Sequence, residues 1–524
     1  SNYENAQQYD QKNDGHTEYA FAECLVIGKK FDEALHFANL ALEKRQRYQG
    51  RSDLSLTETY TALSDIYLGK KTYNKSEQYA QEALNNALKD YPPGHRAIGI
   101  AYYFLGEVFF EQRQHQLALA NYQQAAAVFL PSTPTNNLTY CPSLDSLFTR
   151  EIWMLEVLQS KGEVFLSLYE ENGNLDDLRH AIDHYQASLA FINQTKIYLT
   201  EAESKSFVGN YALTYLSRAI ECQLKLHQRT GQYEPLEQAY YLARQSTAFL
   251  LREAVNNEQA VLISDIPQNK IDELSALNIK IVELEEMRNE DFSGAKLDSI
   301  VALLTDVKLE RINRLQEIER QYPQYYELKY KLDPVALEDL QATLPDSTLA
   351  LDYFVGKQEI YLFVFNRSEI KVLPLRRDSS FSNTIQSFRQ TLSDLDYIRD
   401  NPQQAEQTFL QTSHTLYQTL VDTALRAFDT SDITDLLIVP DGVLNYLTFE
   451  CLLQRPTDSW LDTDAFLIQD YNIRYAYYAD LLLEEDVDDD RDNLLLGFGT
   501  TYNSRTLESL SIPQKEKKWH CCDK

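Results

Sequence analysis

Two imidazoles stand four residues apart at His180 and His184, a spacing that places both on one face of a helix, as in a zinc pair. A metalloprotease helix needs Glu directly after the first His. Ala181 holds that place and no third ligand is apparent, so the pair predicts a surface helix and no metal. Asp486, Asp488, Asp490 and Asp492 alternate like the start of a calcium loop. Arg491 stands where position six needs Gly, and Gly497 where position twelve needs Glu, which leaves a solvated acidic loop. Gly497-Phe498-Gly499 lacks its third glycine at Tyr502, and neither G-x4-G-K-[ST] nor G-x-S-x-G occurs. Nucleotide binding and serine hydrolysis therefore have no support, and no cofactor is expected.

Thiol chemistry needs an accessible Cys in a setting that favours the thiolate, with a His in reach. Cys451 lies between Glu450 and the apolar pair Leu452-Leu453, and reads as a structural thiol. His520-Cys521-Cys522 has suitable residue types, but adjacent residues on a polar tail cannot hold an attack distance of about 3–3.5 Å. Residues 513–524 read as a disordered tail.

The elements that would have to position such groups begin with 436–453, LLIVPDGVLNYLTFECLL. Leu436 to Val439 is a short apolar run of strand type. Pro440-Asp441-Gly442 stops it with a turn, and an apolar pattern then resumes. This segment resembles the VPDG region of CHAT domains, caspase-like modules of the caspase and separase group. Residues 349–354 (LALDYF), 359–365 (EIYLFVF) and 369–375 (EIKVLPL) resemble the opening strands of that domain. Residues 466–476 and 493–499 resemble its next two strand segments. Asn445 and Thr448 stand where the family usually has His and Pro. The resemblance implies a cysteine peptidase with a Cys nucleophile and a His base carried on two later strands. Those A-T-H-G and S-A-C elements have no counterpart here, so the resemblance implies a partial domain, with no catalytic residue and no peptidase activity expected of this chain.

The first half is a repeat array. Ala34, Ser76 and Ala118 are 42 residues apart, as are Ala41, Ala83 and Ala125. The best copy reads Tyr102-x2-Leu105-Gly106-x2-Phe109, then Ala118-x3-Tyr122, the order of a tetratricopeptide repeat. The copy before it reads Tyr60-x2-Leu63-Ser64-x2-Tyr67 with Ser76-x3-Ala80. Small residues at such crossings let helix backbones approach, while large ones fill the gaps between repeats. A fourth copy, from Leu158 with Gly162, Ala181 and Tyr185, carries seven extra residues between its halves, close to two helical turns. Residues 131–142, rich in Pro, Asn, Thr and Ser, interrupt the array before it. A fifth, degenerate unit ends in 236–254.

Leu274, Leu277, Ile281 and Leu284, then Leu297, Ile300, Leu304 and Val307, step three and four apart, predicting a helical hairpin. Neither seam lasts long enough for a freestanding coiled coil, so packing on the neighbouring domains is expected. Tyr322-Pro323 and Asp333-Pro334 bracket its exit.

At 524 residues the chain needs more than one core. A net charge of −30 opposes both a nucleic-acid face and an anionic membrane surface, and favours proteins or basic peptides as partners. Six cysteines without disulfide spacing, and no long apolar run, fit a reduced, cytoplasmic protein. The expected architecture is multidomain: an all-α tetratricopeptide-like superhelix over 1–254, a helical connector over 255–332, and part of an α/β caspase-like domain over 333–512 with a parallel central sheet. Three functions compete: an interaction and signalling module whose concave face within 1–254 binds a protein or peptide controlling the CHAT part, a cysteine peptidase, and a non-catalytic scaffold. Interaction is favoured for these residues, and no metal, membrane or nucleic acid is expected to take part.

Overall fold

Spacing by 42 becomes stacked hairpins in the computed structural model, which describes residues 15–47, 54–143, 151–198, 202–246, 266–289, 295–323, 325, 336–357, 359–377 and 380–476. Helix α1 (His16–Ile27) pairs with α2 (Phe31–Arg47), α3 (Leu54–Gly69) with α4 (Tyr73–Asp90), and α5 (Arg96–Glu111) with α6 (His115–Phe129). Then α7 (Trp153–Asn172) pairs with α8 (Leu175–Tyr198), and α9 (Ala202–Thr230) with α10 (Glu234–Ser246). The first three hairpins turn through one left-handed residue each, Lys29, Lys71 and Arg113, at φ 55°, 56° and 58°. Their amides bond back to Val26, Leu68 and Phe110, closing the carbonyl ends of α1, α3 and α5. These turn residues share the 42-residue phase.

Inside the third and fourth hairpins, one small residue meets one large one. A Cβ on Gly106 would lie 2.5 Å from the ring of Tyr122, whose hydroxyl donates to Glu107 at 2.5 Å. In the copy before, Ser64 and Ser76 take the small positions and Ala80 replaces the tyrosine. The two serine hydroxyls donate to each other's backbone carbonyls at 2.9 and 2.7 Å, so their burial leaves no polar group unsatisfied. In the fourth copy a Cβ on Gly162 would stand 3.0 Å from the Tyr185 ring. Its seven extra residues lengthen both arms by roughly a turn, which keeps the facing residues in phase. Ala34, Ala41, Ser76, Ala83, Ala118 and Ala125 are all fully buried.

Lys161 occupies the position held by Leu63 and Leu105 in the other copies and is itself buried. Its ammonium donates to Gln123 Oε1 at 2.6 Å and to the Tyr140 carbonyl at 2.7 Å. The interrupting segment 131–142 is thus anchored on the array, and burial lowers the lysine pKa to about 7.

Helices α11 (Gln268–Asn289) and α12 (Ala295–Gln321) form the hairpin that joins array to sheet. Leu277, Ile281 and Leu284 meet Leu304 and Val307, while Leu274 packs with Leu315, Ile318 and Tyr325. The side chain of Leu297 lies outside the described residues. Packing on neighbouring domains was the expectation. Among the described residues the two helices instead pack on each other, and Ile279, Val282 and Leu309 stay more than half exposed.

After the short α13 (Leu337–Thr343) come β1 (Thr348–Val355), β2 (Glu359–Phe365) and β3 (Ile370–Arg376). Helices α14 (Phe381–Ser393), α15 (Leu395–Asp400) and α16 (Pro402–Tyr417) follow, then β4 (Asp435–Val439) and β5 (Asn472–Tyr475). The sheet order is β3-β2-β1-β4-β5. Its β1-β4-β5 half is parallel as expected, but β2 and β3 add an antiparallel hairpin, so the whole sheet is mixed. Short connections explain this, since a tight turn can only reverse the chain.

Helix α16 runs on through a π-helical turn, Gln418–Asp422, into Thr423–Ala427. Helix α14 stops at Ser393, because the carboxylate of Asp394 accepts the Tyr397 amide at 2.9 Å and starts α15. The strand segment expected at 493–499 and the tail 513–524 lie outside the described residues.

Strand β1 is buried along its whole length, and apart from Thr348 and Asp352 its sequence is apolar, as a strand covered on both faces requires. Leu349, Leu351 and Tyr353 join Phe388, Phe409 and Leu416 in the core under α14 and α16. The alternate residues Ala350, Asp352 and Phe354 point to the other face, in register with Phe365, Phe363 and Tyr361. No described helix is long and apolar enough to cross a membrane.

Candidate functional site

The first helices of successive hairpins pack on one another, α1 on α3, α3 on α5, α5 on α7, and form one layer of the array. Two cavities of about 530 and 370 Å³ open on that layer. Asp65, Phe104 and Trp153 line both, so the two make one continuous trough. Its walls are aromatic: Trp153 sits 5.4 Å from Tyr103 and 5.9 Å from Phe104, centroid to centroid, and Tyr19 and Tyr91 line the far end. Carboxylates face the same space. Burial and the charge of Glu23 raise Asp65 to about 6, and burial raises Glu107 although Tyr122 and Ser160 donate to it. This face belongs to the stretch 1–254 where partner binding was expected, although no individual groove residue was named from the sequence.

The other face of the sheet is closed by the last hairpin. Tyr240 on α10 donates to Asp352 Oδ2 at 2.8 Å, and its ring packs edge-on against Phe363 and Phe365 at 5.2 and 5.7 Å. The Arg244 guanidinium lies 5.2 Å from the centre of the same ring. Asp352 is fully enclosed there, and burial raises its carboxyl to about 7 against the lowering effects of Tyr240 and Arg244. At the β1–β2 turn the backbone of Gly356 comes so near α9 that a Cβ would lie 2.6 Å from Ser217 Oγ. Sequence reasoning missed this seam. The one available signal was an aspartate within an otherwise apolar strand, since a buried carboxyl needs a donor.

The turn Pro440-Asp441-Gly442 ties the seam to the strand ends. Asp441 Oδ2 accepts the Val355 amide at 2.7 Å, linking the end of β4 to the end of β1. Gly442 has φ 54°, a left-handed conformation that favours glycine over any residue with a Cβ. Burial raises Asp441 to about 6 despite the amides of Val355 and Gly442, and its charge in turn raises Asp352.

The other candidates are dispersed. His184 is fully buried, not on a surface helix, because its face of α8 is the one turned inward. Its Nδ1 bonds the His180 carbonyl at 2.7 Å, and both rings pack near Phe165. Among the described residues no group of three or more His, Cys, Asp or Glu side chains could hold a metal ion. Cys451 is half-buried against the sheet core, and burial together with Glu450 raises its thiol pKa. The flanking backbone is clamped by α16: Ser413 donates to the Cys451 carbonyl at 2.7 Å, and His414 Nδ1 bonds the Leu453 carbonyl at 2.9 Å. Asp486 to Asp492, Gly497, Gly499 and His520 to Cys522 lie outside the described residues.

A stacked helical-hairpin array joined to a mixed, helix-covered sheet defines a repeat protein with an α/β domain. The chain carries tetratricopeptide repeats, matched over residues 59–130, and a CHAT domain, matched over 410–517. The second match starts after β1–β3 and runs beyond 493–499, the last segment whose motif carries the resemblance. Repeats of this kind bind proteins or peptides, and the CHAT domain belongs with caspase-like modules. Among solved structures, BtubC (BKLC) from P. vanneervenii is 15% identical, with 46% of this chain and 86% of that one covered and a TM-score of 0.34. The nearly identical tetratricopeptide-like repeats of a putative kinesin light chain from Podosopora anserina are 12% identical, covering 44% of this chain and 96% of that one at a TM-score of 0.31. A singly substituted form of those repeats is 13% identical, with 44% and 94% covered and a TM-score of 0.31. No curated protein matches the chain.

Proposed function

We propose that this chain is an interaction module in which the array (1–254) takes a protein or peptide partner in the trough of its first helices and relays binding across the seam to the CHAT part (333–512). The observation that carries this reading is the Tyr240–Asp352 hydrogen bond. It joins the last repeat to the central strand of the sheet in a buried site closed to solvent, so a shift of α10 cannot leave β1 unaffected. From Asp352 the influence continues to Asp441, which holds the ends of β1 and β4 together. Cys451 supports no peptidase reading, because its raised thiol pKa disfavours the nucleophilic thiolate.

Hydrogen exchange on the full chain tests the relay. A peptide selected to bind the chain should protect α1, α3, α5 and α7 and also alter exchange in β1 and at 440–442. Tyr240→Phe should leave the first effect and remove the second. Protection confined to the sheet, or a relay indifferent to Tyr240→Phe, would refute the reading.

A further inference from the structure

Resting on the reading of the trough as the partner site, we propose that the partner is a peptide segment with a basic anchor, a lysine or arginine seated between Asp65, Glu107, Phe104 and Trp153 and flanked by apolar residues. Three independent features of the trough agree on this chemistry. The first is charge. Asp65, Glu107 and Glu156 converge on the smaller cavity, and Glu23 and Glu58 line the larger. Each of the first three adds to the electrostatic crowding that raises a neighbour. Basic side chains near the trough are already engaged: Arg96 with Glu151 at 3.2 Å, and Arg45 with Glu58 at 3.7 Å and Thr59 at 2.6 Å. Among the described residues no lysine or arginine forms a salt bridge with Asp65 or Glu107. A cation from outside would relieve carboxylates that the fold holds together at a cost.

The second feature is the aromatic wall. Phe104 and Trp153 border both cavities, and an indole face is the best of the aromatic partners for an ammonium or guanidinium. The alkyl stem of such a side chain has apolar surface to lie on while its head meets the acids. A hydrated metal ion would gain nothing from those rings.

The third feature is the apolar rim. Ile152 borders the smaller cavity and Ile27 the larger, and they are 54% and 84% exposed. Between them the trough crosses four helices, α1, α3, α5 and α7, a span suited to an extended segment more than to a single small amine. Residues of the partner on either side of the anchor would cover these isoleucines.

The probe is a displayed library of random peptides, selected on the full chain, with the recovered peptides synthesised and titrated by fluorescence anisotropy. Recovered peptides should carry a Lys or Arg whose change to Gln weakens binding at least about tenfold, a loss near 1.4 kcal/mol. Asp65→Asn should weaken them to a similar extent, and Phe104→Ala should abolish their binding. Asp65 accepts no hydrogen bond from the described residues, so Asp65→Asn should keep the melting temperature. Glu156→Gln, at the rim, gives a second charge-removing variant if it does not. Peptides that need Phe104 and Trp153 but no basic residue would overturn the basic anchor and leave the trough as the binding face. Recovery of no binder, or of binders indifferent to Phe104→Ala and Trp153→Ala, would overturn the trough itself and the anchor with it.

Discussion

Asp352 carries an unusual burden for one side chain. Its folded carboxyl titrates near 7 against a model-peptide value near 3.9, because burial penalises the charged form more than Tyr240 and Arg244 favour it. The native state therefore holds more protons than the unfolded chain between about pH 4 and 7. Stability falls as pH rises through that window, opposite in sign to the familiar salt-bridged aspartate. Asp441 and Asp65, both raised to about 6, push the same way, so the comparison must be differential. Asp352→Asn keeps an acceptor for Tyr240 and removes the titration. Urea unfolding at pH 5 and pH 7 should show a smaller loss of stability for Asp352→Asn than for the natural chain, and equal losses would count against the assignment. By contrast, Tyr240→Phe should destabilise at either pH by about 1–3 kcal/mol, because it strands a buried polar group.

At the scale of the element, the third hairpin works as a lock between one small and one large residue. Gly106 admits the Tyr122 ring, and the ring cannot move aside because its hydroxyl is bonded to Glu107. Ala118 is fully buried at the same crossing, whereas Ala120, two residues on, is partly exposed. Ala118→Leu should therefore cost about 1–3 kcal/mol by overpacking, and Ala120→Leu much less. Thermal melts of the two variants decide the point. Equal melting temperatures would mean that Ala118 does not mark a helix crossing. The element scale also shows why the repeat signature weakens where it does. Ser64 and Ser76 replace Gly and Ala because their hydroxyls find each other's carbonyls, and Lys161 replaces Leu because its tip reaches Gln123 and the Tyr140 carbonyl.

For the whole molecule, the described residues belong to one unit, Ser1–Leu481, with no break between array and sheet. Repeat arrays draw their stability from nearest-neighbour stacking, so five hairpins should fold without the sheet. Residues 1–254 expressed alone should give a helical circular-dichroism spectrum and a cooperative melt. That melt should lie below the transition of the full chain, because Tyr240 loses Asp352, Phe363 and Phe365 and Ser217 loses the turn at Gly356. A non-cooperative transition would argue that the last hairpin depends on the sheet to fold. An unchanged melting temperature would argue that the seam adds no stability.

Periodicity reaches only as far as neighbours along the chain, and there it was informative. The 42-residue spacing of Ala34, Ser76 and Ala118 marked the hairpins because each must repeat the same local crossing. The run of 436–439 halted at Pro440 marked a strand and its turn, because proline and glycine restrict the backbone wherever they occur. The left-handed Lys29, Lys71 and Arg113 were not legible, since a lysine or arginine carries no sign of the conformation its turn imposes. Nor was the burial of His184, which depends on which helix comes to lie over it. Asp352, Tyr240 and Gly356 belong to segments more than a hundred residues apart or to opposite sides of an interface, and nothing in either segment states the pairing. The trough is of the same kind: Asp65, Phe104 and Trp153 acquire a common purpose only when α3, α5 and α7 are laid side by side. Local pattern determines elements because hydrogen bonds and sterics act over a few residues. Sites form between elements, where burial and charge act through space, and only the tertiary structure decides which side chains share them.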